Sequence, residues 1–265
     1  PTSTIGKVFF TRAGRNYVCS GATINAGSGQ RDVISTAAHC VHPGGGGSGA
    51  FHTNVQFCPS YNPAGAARGC WPAVNLITFT AWTNSGHIEA DVACIVARNW
   101  GTRYNAHVGD VQGTLGRSWN WGWDEPFASF GYPAEYPMNT RRGGLIVTAH
   151  GPGWYTYNWG GTDVDGSALA DSVYMGNDMT GGSSGGPWIL GWEHRSEAYP
   201  DTDGNNLTDP FPGGATSARI VGNNSHKIVV GGVTRTQEMG SAQYTTGHPN
   251  TETLWSACQA SANSN

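Results

Sequence analysis

Three short segments carry the residue types from which a nucleophilic site is built. Thr180-Gly181-Gly182-Ser183-Ser184-Gly185-Gly186-Pro187-Trp188 sets two serines among four glycines, a composition that lets the backbone turn tightly and aim amides inward at an anion. A serine hydroxyl is a poor nucleophile at neutral pH; it needs a base within hydrogen-bond reach, itself oriented by a third group. Thr36-Ala37-Ala38-His39-Cys40 ends an apolar strand on a histidine. Asp91, at the head of Val92-Ala93-Cys94-Ile95-Val96, is a carboxylate entering an apolar run, where burial requires a hydrogen-bonded partner. His39, Asp91 and Ser184 thus supply base, orienting group and nucleophile, with the amides of Gly182 and Ser184 as oxyanion donors. Taken singly, His39 also reads as a structural residue and Asp91 as a strand-capping carboxylate; the glycine-serine turn makes the set.

Other groupings are weaker. His39-Cys40-Val41-His42 lacks further ligands at zinc spacing, so no metal is assigned. Asp201-Thr202-Asp203-Gly204-Asn205-Asn206-Leu207-Thr208-Asp209 places oxygen ligands at alternate positions, as hard calcium requires, but lacks a closing glutamate and reads better as a solvated acidic loop. No cofactor is expected. Trp119, Trp121 and Trp123 alternate and either stack sugars or fill a core, the second being the simpler reading. Asn206 and Asn223 each satisfy the glycosylation acceptor pattern, and neither decides function.

The elements that must position these residues read as β. The 265-residue chain holds 40 glycines without a collagen-like repeat, and only 12% of its residues are charged, which favours short strands and turns over disorder. Its formal net charge of −4 has the wrong sign for gripping phosphate backbones, so nucleic acid is not an expected partner. No run approaches a membrane span. Apolar, β-branched runs recur at Lys7 to Phe10, Tyr17 to Ile24, Asp32 to Ala37, Asn75 to Phe79 and Val92 to Ala97. A second set falls at Gly144 to Ala149, Ser172 to Met175, Pro187 to Leu190 and Lys227 to Thr234, with a loop-like stretch from Val108 to Glu125 between the sets. A two-barrel or two-sheet layout fits. Helical spacing of Leu254, Trp255 and Cys258 predicts a helix over 251–260 alone, with Asn250 or Thr251 as its cap. The run Gly44 to Gly49 should be a surface loop. Six cysteines without a CxxC signature point to disulfides and an oxidising, extracellular compartment, any leader or pro-segment having been removed before Pro1.

The ordered set resembles the chymotrypsin/trypsin-like serine peptidases, and most of all their secreted microbial branch. Thr36-Ala37-Ala38-His39-Cys40 is similar to the family's histidine box and Ser184-Gly185-Gly186-Pro187 to its nucleophile box, with Asp91-Val92-Ala93 between. The resemblance implies two six-stranded antiparallel barrels with the cleft between them. Residues 1–110 would carry His39 and Asp91; residues 111–265 would carry Ser184, a loop inserted at about 191–218 and the C-terminal helix. It implies a secreted, monomeric endopeptidase, made as a precursor, that acts on peptides or proteins through an acyl-enzyme. It also implies a bridge from Cys19 to Cys40. Proximity then suggests Cys58 with Cys70, which leaves Cys94 for Cys258, one of three possible pairings. Residue 183 is serine, where animal members carry an aspartate that pairs with a newly cut N-terminus, so terminal insertion is not the expected activation. Substrate would meet Asp178, Met179 and Thr180 before the nucleophile, and Ser225 and His226 after it. Asp178 would favour Arg or Lys before the cut, whereas His226 would favour an acidic side chain. The other reading is a catalytically silent relative that binds protein or glycan.

Overall fold

The computed structural model describes residues 2–26, 31–46, 49–62, 68–99, 105–121, 126–135, 146–157, 172–192, 218–227, 229–230, 233–234 and 236–264. The loop Asp201 to Asp209, Asn206, Trp123 and most of the segment 191–218 lie outside these residues.

Six strands close the first barrel: β1 (Ile5–Arg12), β2 (Arg15–Ile24), β3 (Val33–Thr36), β4 (Thr53–Pro59), β5 (Trp71–Thr78) and β6 (Ala93–Ala97), in the order β1-β2-β3-β6-β5-β4. β3 and β6 are buried at every position, so neither shows the alternation of a half-exposed strand. Their antiparallel register pairs Val33 with Val96 and Thr36 with Ala93. The end of β3 therefore lies beside the start of β6, and the residues just outside both strands, His39 and Asp91, come together. Val8, Ile34, Phe57, Trp71 and Ile95 fill the interior.

The second half is a sheet in the order β15-β10-β9-β8-β11-β12-β7. Its strands are β7 (Gly116–Arg117), β8 (Pro126–Gly131), β9 (Val147–Tyr157), β10 (Ser172–Gly176), β11 (Pro187–Leu190), β12 (Arg219–Asn223) and β15 (Glu238–Ala242); β13 (Val229–Val230) and β14 (Val233–Thr234) form a separate ribbon. The sheet curls like a barrel, but among the described residues its edges, β15 and β7, do not pair. Met175, Met179, Trp188, Leu190 and Met239 form its core. β11 follows the glycine-serine turn and pairs Pro187 with Asn223 of β12, which carries the turn to the strand end that precedes Ser225. Ile5, Ala22, Leu115, Phe130, Tyr132 and Ile189 pack where the two halves meet.

Among the described residues three helices occur where one was expected: α1 (Thr80–Ser85), α2 (Val108–Gln112) and α3 (Thr251–Asn263). The stretch after Val108, expected to be a loop, thus holds α2 and β7. Asn250 caps α3, its side chain accepting from the Thr253 amide at 3.0 Å. Leu254, Trp255 and Cys258 of α3 pack against Val96 and Tyr244. The cysteines pair as Cys19–Cys40, Cys58–Cys70 and Cys94–Cys258, the last tying α3 to β6. Trp119 and Trp121 pack against core clusters, as the simpler reading expects.

Candidate active site

His39 sits on a 3-10 turn, Ala38–Cys40, immediately after β3, and Asp91 ends the turn Ile88–Ala90 before β6. The His39 amide donates to Asp91 Oδ1 at 2.9 Å, and His39 Nδ1 lies 2.8 Å from Asp91 Oδ2. Because an ionised carboxylate only accepts, Nδ1 carries the proton and Nε2 keeps its lone pair. The Ser225 hydroxyl donates a third bond, to Asp91 Oδ2, and Asn223 Nδ2 donates to the Asp91 main-chain oxygen at 3.1 Å. Asp91 is 2% exposed. Burial alone would raise its pKa, but the neighbouring His39 charge and the bonds from His39 and Ser225 hold it below the ordinary carboxylate value. Burial likewise opposes the imidazolium, yet the charge and hydrogen bond of Asp91 outweigh burial and the nearby Arg12, so the His39 pKa is raised.

Ser184 is half-buried on a turn that reaches across from the second half onto the first. The Ser20 amide donates to Ser184 O at 2.7 Å, and Thr36 Oγ1 donates to Ser20 O at 2.8 Å. A side chain at Gly185 would collide with Thr36 Oγ1, Ser20 O and Ala37 N, so a close approach of backbone to backbone demands glycine there. Gly182 has φ +96°, which swings the turn inward. Among the described residues the amides of Gly182 and Ser184 have no protein acceptor, while the carbonyls behind them are held. Ala134 N–H donates to Gly181 O at 2.7 Å, and Gly186 N–H donates to Ser183 O at 2.9 Å. A planar trans peptide points its N–H away from its C=O, so these bonds fix the direction of both amides. Ser184 Oγ makes no hydrogen bond to His39 Nε2 among the described residues, a contact that commonly forms only when substrate arrives.

The remaining candidates divide. Ser225 is 9% exposed and holds Asp91. His226 uses both ring nitrogens, Nδ1 toward Ser225 Oγ at 3.0 Å and Nε2 toward the Tyr174 hydroxyl at 2.8 Å, and burial pushes its pKa down to about 4. Met179 packs its side chain into the core, fully buried, so any contact with substrate would have to come through its backbone. Thr180 donates to Glu135 O at 2.9 Å. Asp178 is exposed, and beside it stands Lys227, whose ammonium donates to Asn177 O at 2.6 Å and Thr236 O at 3.1 Å. Burial lowers the Lys227 pKa to about 8 against the opposing pull of Asp178 and Glu238. Trp82 of α1, 6.3 Å from the His39 ring, and His52, whose Nε2 lies 3.2 Å from His39 O, border the site without any sequence signal that marks them. Cys19, His39 and Cys40 cluster closely enough for a metal, but both sulfurs are spent in a disulfide, which leaves one ligand.

No protein-family model and no curated protein matches the chain; solved structures do. The protease Anisep from Arthrobacter nicotinovorans is 28% identical with a TM-score of 0.72, over 98% of this chain and 97% of that one. A thermostable serine protease, AL20, from an extremophilic microorganism is 28% identical with a TM-score of 0.70, over 100% and 99%. A Glu endopeptidase, 15% identical with a TM-score of 0.62 over 100% and 92%, shares the fold. With the barrel layout and the His39, Asp91, Ser184 order already in place, these likenesses support the resemblance to the microbial chymotrypsin/trypsin-like serine peptidases.

Proposed function

We propose that the chain is a secreted serine endopeptidase. His39 Nε2 takes the Ser184 proton as Oγ attacks a peptide carbonyl, Asp91 holds the imidazole in its productive tautomer and steadies the imidazolium, and the amides of Gly182 and Ser184 receive the oxyanion. The leaving amine takes the proton back from His39, and water then resolves the acyl-enzyme by the same route. The observation that carries this reading is the doubly bonded His39–Asp91 pair, at 2.9 and 2.8 Å. Three disulfides support an extracellular setting. A peptide or protein is the substrate and a monomer the acting unit.

For the residue before the cut, Asp178 supports Arg or Lys. His226 gives little support to an acidic residue, since its ring is neutral at pH 7 and both nitrogens are engaged.

The silent-relative reading has the missing Ser184–His39 bond on its side. An organophosphorus serine reagent separates the two. The folded protein should acquire one adduct, on Ser184, and Ser184→Ala should lose both adduct and peptide cleavage; an unlabelled folded protein would establish the silent reading.

A further inference from the structure

An oxyanion turn works only if its shape is set before substrate arrives, and here residue 183 is a serine that closes its own turn, donating from Oγ and N to Thr180 O at 2.8 and 3.2 Å. Several residues hold the rest of the turn, and Asn224, just past the end of β12, makes the most bonds to it. Asn224 O accepts from Gly185 N–H at 2.7 Å and Asn224 N–H donates to Gly186 O at 2.8 Å. Its side-chain Nδ2 donates to Ser183 O at 3.2 Å and Phe130 O at 2.9 Å. Its Oδ1 accepts from Ser129 Oγ at 2.7 Å and Trp188 Nε1 at 2.9 Å. An indole N–H only donates, so the amide has one possible orientation, with nitrogen toward Ser183. Asn224 and Ser129 are fully buried and Trp188 is 1% exposed, so no water competes. Asn177 Nδ2 donates to Ser129 Oγ at 3.0 Å and extends the same cluster to the segment before the nucleophile.

We infer that Asn224 is a positioning residue of the oxyanion site: together with the Gly186 amide it holds Ser183 O and so fixes the peptide plane whose other end is the Ser184 N–H, and the donor is aimed without a charged partner. This rests on the peptidase reading above. An uncharged, buried clamp keeps the turn formed regardless of the state of any chain terminus or of carboxylate protonation.

Asn224→Asp keeps the shape and an acceptor for Ser129 and Trp188 but faces Ser183 O with oxygen instead of an N–H donor. Loss of one oxyanion donor costs on the order of 10²–10³ in kcat, and a misaimed one should cost roughly 10- to 100-fold, with KM changed by no more than about threefold. Affinity for a peptide aldehyde, whose adduct carries the oxyanion, should fall in the same proportion, while the organophosphorus reagent still labels one Ser184 per chain at its end point. Ser129→Ala, a smaller change that loosens the same amide, should move kcat and aldehyde affinity in the same direction and decides the matter if Asn224→Asp does not fold. Unchanged kcat per labelled serine and unchanged aldehyde affinity, with only a lower unfolding midpoint, would overturn the inference. A wild-type chain that takes no label would instead overturn the peptidase reading itself.

Discussion

Asp91 pulls His39 in one direction that experiment can read. Its charge and hydrogen bond outweigh burial and raise the His39 pKa above 6.5, and only the neutral imidazole acts as base, so the acid limb of kcat/KM should have its midpoint above pH 6.5. Asp91→Asn removes the charge and turns one of the two acceptor oxygens into an N–H donor, which favours the unproductive His39 tautomer, and should lower kcat by about 10⁴; a pH profile with its midpoint below 6.5 would contradict the pairing. The same two groups act on stability with opposite signs. The raised His39 contributes below pH 6.5 and loses that contribution as pH climbs through its folded value; the lowered Asp91 contributes above about 3.8 and loses it as pH falls through its own. Lys227 carries a prediction for specificity. With its pKa at about 8, the ammonium offsets Asp178 at pH 7 and ceases to do so at pH 9. The ratio of kcat/KM for Arg over an uncharged residue before the cut should therefore rise between those values, as a peptide series would measure, and Lys227→Met should abolish the rise. His39, Asp91 and the Ser184 turn could be singled out in the sequence because their order and the glycine-serine turn are local features. Trp82, Lys227 and Asn224 were not, because what gives each a role is a neighbour distant in sequence, such as His42 O for Trp82 and Ser183 O for Asn224.

The strands that could be read were those whose own composition decides them. β6 is apolar throughout and β3 opens on Val33-Ile34, and both were foreseen within about a residue, while β4, Thr53-Asn54-Val55-Gln56-Phe57-Cys58-Pro59, carries three polar residues and ends in proline. It pairs chiefly with β1, through contacts such as Val8 with Phe57, and that partner lies some fifty positions away, outside any local window. The short helices α1 and α2 are too brief to stand by propensity; burial of Ala81 and Val108 holds them. α3 was visible from its period and cap, yet runs to Asn263, three positions past the expected end. Its anchor is the Cys94–Cys258 bond, which joins it to the strand that starts beside Asp91 and encloses a loop of 164 residues. Replacing both cysteines by alanine should cost about 2–5 kcal/mol, read as a lower denaturant midpoint. Because Asp91 is bonded to His39 and Ser225 and not to the helix, kcat in the variant's stable range should stay within about threefold; a loss of activity beyond the loss of folded protein would show that α3 reaches the site.

The arrangement of the two halves came from the resemblance alone, since neither periodicity nor composition says which sheet faces meet. The structure supplies the reason in a small number of crossings, and Ser20 makes the most telling of them. It lies on β2 of the first barrel, fully buried, yet its hydroxyl donates to Gly182 O at 2.9 Å and accepts from the Tyr132 amide at 2.9 Å, both in the second half. Its own amide holds Ser184 O. One residue of the half that carries His39 thereby sets the distance to the half that carries Ser184 and the Gly182 turn. Ser20→Ala leaves the Ser184 contact intact but deprives Tyr132 N of its acceptor and Gly182 O of its donor inside a water-poor seam. The expected stability loss is about 1–3 kcal/mol, and kcat should fall further than Asn250→Ala, a helix-cap change of about 1 kcal/mol remote from the seam, lowers it. Equal activity in the two variants, once corrected for folded fraction, would mean that the apolar packing of Ile5, Leu115 and Tyr132 fixes the halves alone and that the hydroxyl only satisfies its neighbours.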